Sequence, residues 1–314
     1  MKTIVVGSGM AGIIAGLRAY SHGSDVVMIS QGRSATSLSS GVVDVFGYFR
    51  GEEIKSPLEG IKRLEEENEV HPYAILGAER IKESIDFFIN ISKKVGFPFR
   101  GSIDRNIHIA TQFGTVKSTC LAYDRIYSGR VERWKDRRVD ITGKSERNFR
   151  PAFVVESLRI LLPKLGFNAG VFHDGEYIKS LGIRHIKDRI LKADIEKGEI
   201  KTLTGKRQYT GDNFIIASGD YIGGGLNSFG ESIIHLDIYR IKDKPVRKIP
   251  FPVKGHPYSK NGVIVDENLN PFYREKRISN LRIAGSLLGG YDYCTEKSGL
   301  GVAIATGYSA GDME

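Results

Sequence analysis

Gly7, Gly9 and Gly12 stand between the apolar run "TIVV" and the apolar run "MAGIIAGLRAYS", and glycines at that spacing are suited to phosphate chemistry. The first permits a tight turn, the second lets the backbone approach a pyrophosphate, and the third lets helix and strand pack closely. With Met10 and Ala11 they form a helix start whose free N–H groups and partial positive charge favour an anion. A dinucleotide cradle of this kind commonly ends its second strand in an acid that grips a ribose. Here "DVVMIS" ends in Ser30 and Gln31, which offer only neutral hydrogen bonds. Arg33 lies three positions beyond Ser30, within reach of a phosphate.

A second glycine unit lies far along the chain, in "NLRIAGSLLGGYDYCTEKSGLGVAIATGYSAG". Gly285, Ser286, Gly289 and Gly290 allow close backbone approach, and a helix beginning near Ser298 and Gly299 turns its positive end outward. Such an end suits the anion that develops at the N1–C2=O edge of a reduced flavin. Two remote glycine turns closing on one ligand is a flavoprotein arrangement rather than a nicotinamide one. Between the units, Ser39, Ser40 and Gly41 sit in a loop able to present hydroxyls and N–H groups to a planar heterocycle. "FIIASGDYIGGGL" ends a buried strand in Ser218 and Gly219, placed to close over a cofactor. In "GTVKST", Gly114 and Thr115 precede Lys117 and Ser118, a lysine flanked by a glycine turn and hydroxyls, which makes an anion site for substrate or flavin. Oxidising an alcohol needs a base for the hydroxyl proton. His108, His235 and His256 are available, and nothing in their surroundings selects one, so the catalytic residue is unassigned.

These residues require an α/β scaffold. Residues 3–30 read as strand, helix, strand, and "NFIIASG" and "LRIAGS" read as further buried strands. "AERIKESIDFFINISKKVGF" carries apolar residues at helical spacing, and Pro151 opens another helix in "PAFVVESLRILLPKLG". Residues 103–145 alternate short strand-like runs with turns, residues 189–218 predict a β-meander, and "NGVIVDENLN" predicts a hairpin-like pair. The fold class is α/β: a Rossmann-like, doubly wound FAD/NAD(P)-binding domain built from both chain ends (residues 1–70 and 210–314). An α+β cap with the meander, residues 71–209, is inserted between them.

A chain of 314 residues with 40% hydrophobic and 26% charged content is that of a globular protein with a sizeable core. Its net charge of +9 points to anionic partners. The basic stretches mix acids with their Lys and Arg and lack interleaved aromatics, which argues against nucleic acid. Two distant cysteines, Cys120 and Cys294, make neither a zinc site nor an iron–sulfur framework, and suit a reducing cytoplasm. The apolar N-terminus carries its glycines at cradle spacing rather than a cleavage signature. No run reaches the roughly 18 apolar residues of a membrane span.

Five blocks together resemble the B subunit of the anaerobic glycerol-3-phosphate dehydrogenases, flavoproteins of the two-dinucleotide-binding-domain class. They are "GSGMAGIIAG", "GRSATSLSSGVVDVFG", "IHIATQFGTVKST", "FIIASGDYIGGGL" and "AGSLLGGYDYCTEKSGLGVAIATG", in that order along most of the chain. The resemblance implies a flavin subunit that joins a larger FAD subunit and an iron–sulfur, membrane-associated subunit. Together these oxidise sn-glycerol 3-phosphate to dihydroxyacetone phosphate and pass electrons towards quinone. It implies FMN, with a missing ribose acid typical, where the fold implies FAD. It also implies a cytoplasmic chain tied to the inner membrane face only through a partner. The residues alone also fit an independent flavin oxidoreductase acting on another small hydroxy or keto acid, or a non-catalytic assembly subunit.

Overall fold

Apolar, β-branched runs pair most readily where both faces of a sheet are covered. In the computed structural model five such runs form one sheet: β1 (Lys2–Val6), β2 (Asp25–Ser30), β3 (Arg184–Lys187), β4 (Asn213–Ile216) and β5 (Leu281–Ile283). The structure describes residues 1–32, 34–135, 137–142, 157–158, 160, 166–170, 184–221, 223–241 and 257–313. Arg33, His256 and most of the helix expected after Pro151 lie outside these residues.

The strand order is β3-β2-β1-β4-β5, and every neighbouring pair is parallel. Ile4, Val5, Val27, Ile29, Phe214, Ile215, Leu281 and Ile283 are each at most 4% exposed, so both faces are dry. The α/β, Rossmann-like architecture read from the sequence is therefore present. From β1 the chain steps to β2 and β3 on one side, while β4 and β5 lie on the other. That reversal between β1 and β4 makes a topological switch point, and ligands of such sheets bind at the carboxyl ends of the strands there.

Three helices matter for the crevice: α1 (Met10–Ser21), α2 (Ala78–Lys94) and α3 (Gly299–Ala310). α2 is the amphipathic helix expected from its spacing, with Ile81, Ile85 and Phe88 buried. α1 and α3 pack closely, because a Cβ on Gly307 would stand 2.4 Å from the Ala11 carbonyl oxygen. Beyond α3, the Asp312 carboxylate receives Arg18 of α1, Arg80 of α2 and His22, while both guanidinium groups stack on Tyr308 at 4.4 and 4.6 Å. The two remote ends of the chain are thereby fastened side by side.

Residues 71–209 contribute smaller antiparallel units. Phe99–Gly101, Leu121–Tyr123 and Val42–Val43 form one sheet, and Ile107–Ala110 pairs with Val116–Thr119. The expected meander forms from Lys192–Glu196, Glu199–Thr204 and Gln208–Tyr209. β3 also comes from this stretch and joins the main sheet as an edge strand. "NGVIVDENLN" does not pair with itself as a regular hairpin: Gly262–Val263 pairs with Ile238–Tyr239, and a single bridge joins Val265 to Pro271. No helix among the described residues is long and apolar enough to cross a membrane.

Candidate functional site

The crevice is built from three turns that follow β1, β4 and β5. Gly7 has φ +116°, and a Cβ there would stand 2.1 Å from the Ala217 carbonyl oxygen, so the first turn lies flush against the end of β4. Gly9 differs. It is the N-cap of α1 in extended backbone, and a Cβ would meet nothing nearer than Ser34 Cβ at 3.7 Å. That space faces an α1 start with no acidic residue in its first turn. The Met10 N–H donates to Thr36 Oγ1 at 2.9 Å, and Ala11 and Gly12 continue the turn.

After β4 come Ser218 and Gly219, and the Ser218 hydroxyl is buried with no hydrogen-bond partner among the described residues. After β5, Gly285 adopts φ +77°, and its N–H donates to Thr306 Oγ1 of α3 at 2.9 Å. The Ser286 hydroxyl lies 3.7 Å from where a Gly219 Cβ would stand, so the second and third turns touch. Tyr293 completes the link by donating its hydroxyl to Asp220 Oδ2 at 2.8 Å.

Ser30 is buried at the end of β2, and its carbonyl accepts the Asp188 N–H at 2.9 Å. Asp188 brings a carboxylate beside the place where a ribose acid was missing. That carboxylate is already committed, to the Tyr209 hydroxyl at 2.6 Å and to the N–H groups of Lys206 and Arg189. The Tyr209 bond, then the backbone bonds against the opposing cost of burial, hold Asp188 below the usual carboxylate range. Burial and that same bond push Tyr209 up to about 12. Gln31 is exposed.

Ser39 and Ser40 are exposed, and the Gly41 carbonyl accepts the Tyr123 N–H. Gly114 and Thr115 close the tip of a hairpin, where Thr111 and Thr115 exchange hydroxyl and backbone bonds. Lys117 points elsewhere and pairs with Asp44 Oδ2 at 2.7 Å, while Ser118 is buried beside it in the strand. Asp44 ties this pair to α3, since its carbonyl accepts the Gly301 N–H at 2.9 Å and its Oδ1 is buried without a partner among the described residues. The lysine thus stands at the start of α3, although its glycine and threonine do not.

At the terminal unit, the Gly289 and Gly290 N–H groups donate to the Val263 and Lys260 carbonyls, so this turn is held from behind. Gly299 opens α3 and Ser298 is its N-cap, yet the Ser298 hydroxyl donates to Glu296 Oε2 at 2.9 Å instead of capping the helix. His235 adopts φ +61° in a turn. The His108 ring nitrogens each lie 2.8 Å from a carboxylate, Glu132 on one side and Glu53 on the other. Both nitrogens therefore donate, which is the imidazolium form. Burial opposes that charge, but the bonds to Glu132 and Glu53 outweigh it and raise the pKa. With a carboxylate on each ring nitrogen, neither is open to an alcohol.

A raised histidine pKa stabilises the fold fully below about pH 6.5, the unfolded value, and the gain is lost as pH rises through the folded value. His108→Gln is accordingly expected to lower the denaturation midpoint at pH 5.5 and to change it little at pH 9. Equal losses at both values would show that the two carboxylates do not act through the histidine charge.

Asp44, Asp220, Tyr293 and the Glu296 group escaped the sequence reading. Asp44 alone left a usable signal there, as the acid at the end of the serine–glycine loop.

Comparison with known proteins supports the fold. Residues 2–149 match the FAD binding domain family. Over 98% of the chain and 94% of the relative, 25% of 413 aligned positions are identical to the B subunit of anaerobic glycerol-3-phosphate dehydrogenase from Vibrio cholerae serotype O1. A protein of the same name from Aliivibrio fischeri is 32% identical over 50% of this chain and 36% of its own length. Among solved structures, the open conformation of a flavocytochrome c3 fumarate reductase superposes with a TM-score of 0.52 at 11% identity, covering 99% of this chain and 77% of that one. The fold is that of FAD-binding flavoproteins, the cofactor these matches support is a flavin, FAD, and the chain is similar along nearly its whole length to the B subunit of anaerobic glycerol-3-phosphate dehydrogenase.

Proposed function

We propose that this chain is the flavin-carrying subunit of a glycerol-3-phosphate dehydrogenase, taking part in oxidation of sn-glycerol 3-phosphate and relaying electrons towards quinone. The observation that carries the reading is the meeting of both glycine units at one switch point, where a Gly285 Cβ would stand 2.9 Å from Ala11 Cβ, beside two helix starts. The residues fit a dinucleotide. At Gly9 a Cβ would meet only side-chain atoms of Ser34 and Thr36, at 3.7 and 3.8 Å, no carboxylate stands in the first turn of α1, and the buried Ser218 hydroxyl lacks a partner among the described residues. Gly7, Gly9, Met10, Ala11 and Gly12 would hold the pyrophosphate. Ser218, Gly219, Gly285 and Ser286 would line the crevice, with the Ser39–Gly41 loop and the Gly289–Gly290 turn at its sides. Ser30 and Gln31 would meet the nucleoside end, where the committed Asp188 leaves no free carboxylate to grip a ribose.

When bound, the flavin would accept two electrons from the secondary alcohol. The chain would orient it through the first turn of α3, at Ser298 and Gly299, with the Lys117–Asp44 pair beside that turn. The partners implied are a larger FAD subunit and an iron–sulfur, membrane-associated subunit, with this chain reaching the membrane face only through them.

The test begins with the small molecule released on denaturing the purified chain, identified by mass and absorbance. FAD is expected. A colourless chain that takes up neither FAD nor FMN would sink the reading. Bleaching of the bound flavin by glycerol 3-phosphate, alone or with the partner subunits, then reports the substrate. Lys117→Ala is expected to weaken flavin or phosphate binding roughly tenfold, about 1.4 kcal/mol. Its stability should change by no more than about 1 kcal/mol, because the pair with Asp44 is partly exposed. An unchanged Kd would remove Lys117 from the site.

A further inference from the structure

A carboxylate with a neutral partner, its side chain 17% exposed, lies at the root of α3. The His71 side chain is fully buried, and its Nδ1 accepts the Tyr73 N–H at 2.9 Å, so that nitrogen carries no proton. The ring proton must then sit on Nε2, which lies 3.1 Å from Glu296 Oε2. The imidazole is neutral, and the formal charge of the pair belongs to Glu296. Burial opposes that charge, but His71 first, then the Asp292 N–H and the Ser298 hydroxyl, outweigh it and keep the carboxyl below its usual range.

Three donors occupy this carboxylate: His71 Nε2 and the Ser298 hydroxyl on Oε2, and the Asp292 N–H at 3.0 Å on Oε1. It is poorly placed to serve as a ligand contact and can act through its field. A half-buried anion without a cationic partner is seldom a source of stability. Its position is informative, because it stands two residues before Ser298, the N-cap of α3. Two effects meet there. The Ser298 hydroxyl is drawn away, leaving the first turn of α3 without a side-chain cap, and a full negative charge offsets the helix's positive end.

We propose that Glu296 is a positioning residue for the flavin: it holds the α3 start uncapped towards the crevice and, through its charge, keeps the bound flavin a weak electron acceptor. The proposal rests on the flavin reading above. A fixed anion beside the ring disfavours added electrons, and poor hydration inside the protein strengthens that repulsion. A flavin so disposed passes its two electrons readily to the next carrier.

The experiment is an anaerobic reductive titration of the flavin-loaded chain with dithionite against a reference dye. Glu296→Gln, of nearly the same shape and without the charge, should increase the reduced-to-oxidised ratio at a fixed dye potential about tenfold. That corresponds to about 30 mV upward for a two-electron couple. Glu296→Asp keeps the charge and should stay near the wild-type midpoint. Equal midpoints in loaded wild type and loaded Glu296→Gln overturn the proposal, as does an equal shift in Glu296→Gln and Glu296→Asp. If the glutamine variant does not fold, the wild type decides: a flavin electron-poor enough to bleach with sulfite overturns the proposal, and resistance supports it. A wild-type chain that binds no flavin overturns the flavin reading itself, and this proposal with it.

Discussion

Gly9→Asp is expected to give a chain that folds normally and holds no flavin. The two halves of that result have separate causes. A Cβ at Gly9 would meet no protein atom closer than 3.7 Å, which is ordinary contact, so the backbone need not move to accept it. The position is also the N-cap of α1, where Asp is among the preferred residues and Gly only a few tenths of a kcal/mol behind it. Thermal stability of the unloaded chain should therefore be unchanged or slightly higher. The same carboxylate would project where we place a pyrophosphate. Two like charges about 4 Å apart near a protein surface repel by about 4 kcal/mol. Even with much of that screened, flavin affinity should fall at least about 100-fold, or about 2.7 kcal/mol. Equilibrium dialysis with FAD, beside a melting curve, checks both halves. Undiminished binding would remove the first glycine turn from the cofactor site.

Gly307→Ala carries the second large effect, and its sign distinguishes packing from helix propensity. Alanine is preferred to glycine inside a helix by about 1 kcal/mol. At Gly16 of α1 a Cβ would find ordinary contacts, the nearest being Met28 Sδ at 3.5 Å, so Gly16→Ala should stabilise the chain. At Gly307 the new carbon would stand 2.4 Å from a backbone oxygen of α1. Backbone cannot step aside as a flexible side chain can, so the helices must part. A net loss of about 2–4 kcal/mol is expected, within the range of overpacked cores. Urea midpoints for the two variants should move in opposite directions. Equal gains in both would mean that α1 and α3 do not press on one another in solution.

What the sequence revealed was mostly local. Gly7 and Gly12 could be read because a tight turn and a close helix start each need a residue without a side chain, and spacing records that need. The sheet strands could be read because burial on both faces leaves uninterrupted apolar runs. Side-chain pairing between remote segments leaves no such record. Nothing near His108 in the chain announces that Glu53 and Glu132 will claim both its nitrogens. Asp188 replaces nothing in the motif, yet it lies beside Ser30 because β3 returns to the edge of β2. Gly289 and Gly290 show a different gap. Their types were informative, but only the fold reveals that their N–H groups turn back to Val263 and Lys260. Lys117 was singled out within a glycine–threonine block, whereas its partner comes from Asp44, 73 residues earlier in the chain.

The contact between α1 and α3 also constrains the order of events during synthesis. About 290 residues separate the two helices, and a ribosome adds roughly 5–20 residues per second. The first glycine turn therefore leaves the ribosome about 15–60 seconds before the helix that packs beside it. A nascent chain can expose the N-terminal glycines but cannot enclose a ring. With both turns holding the flavin as proposed, loading follows translation.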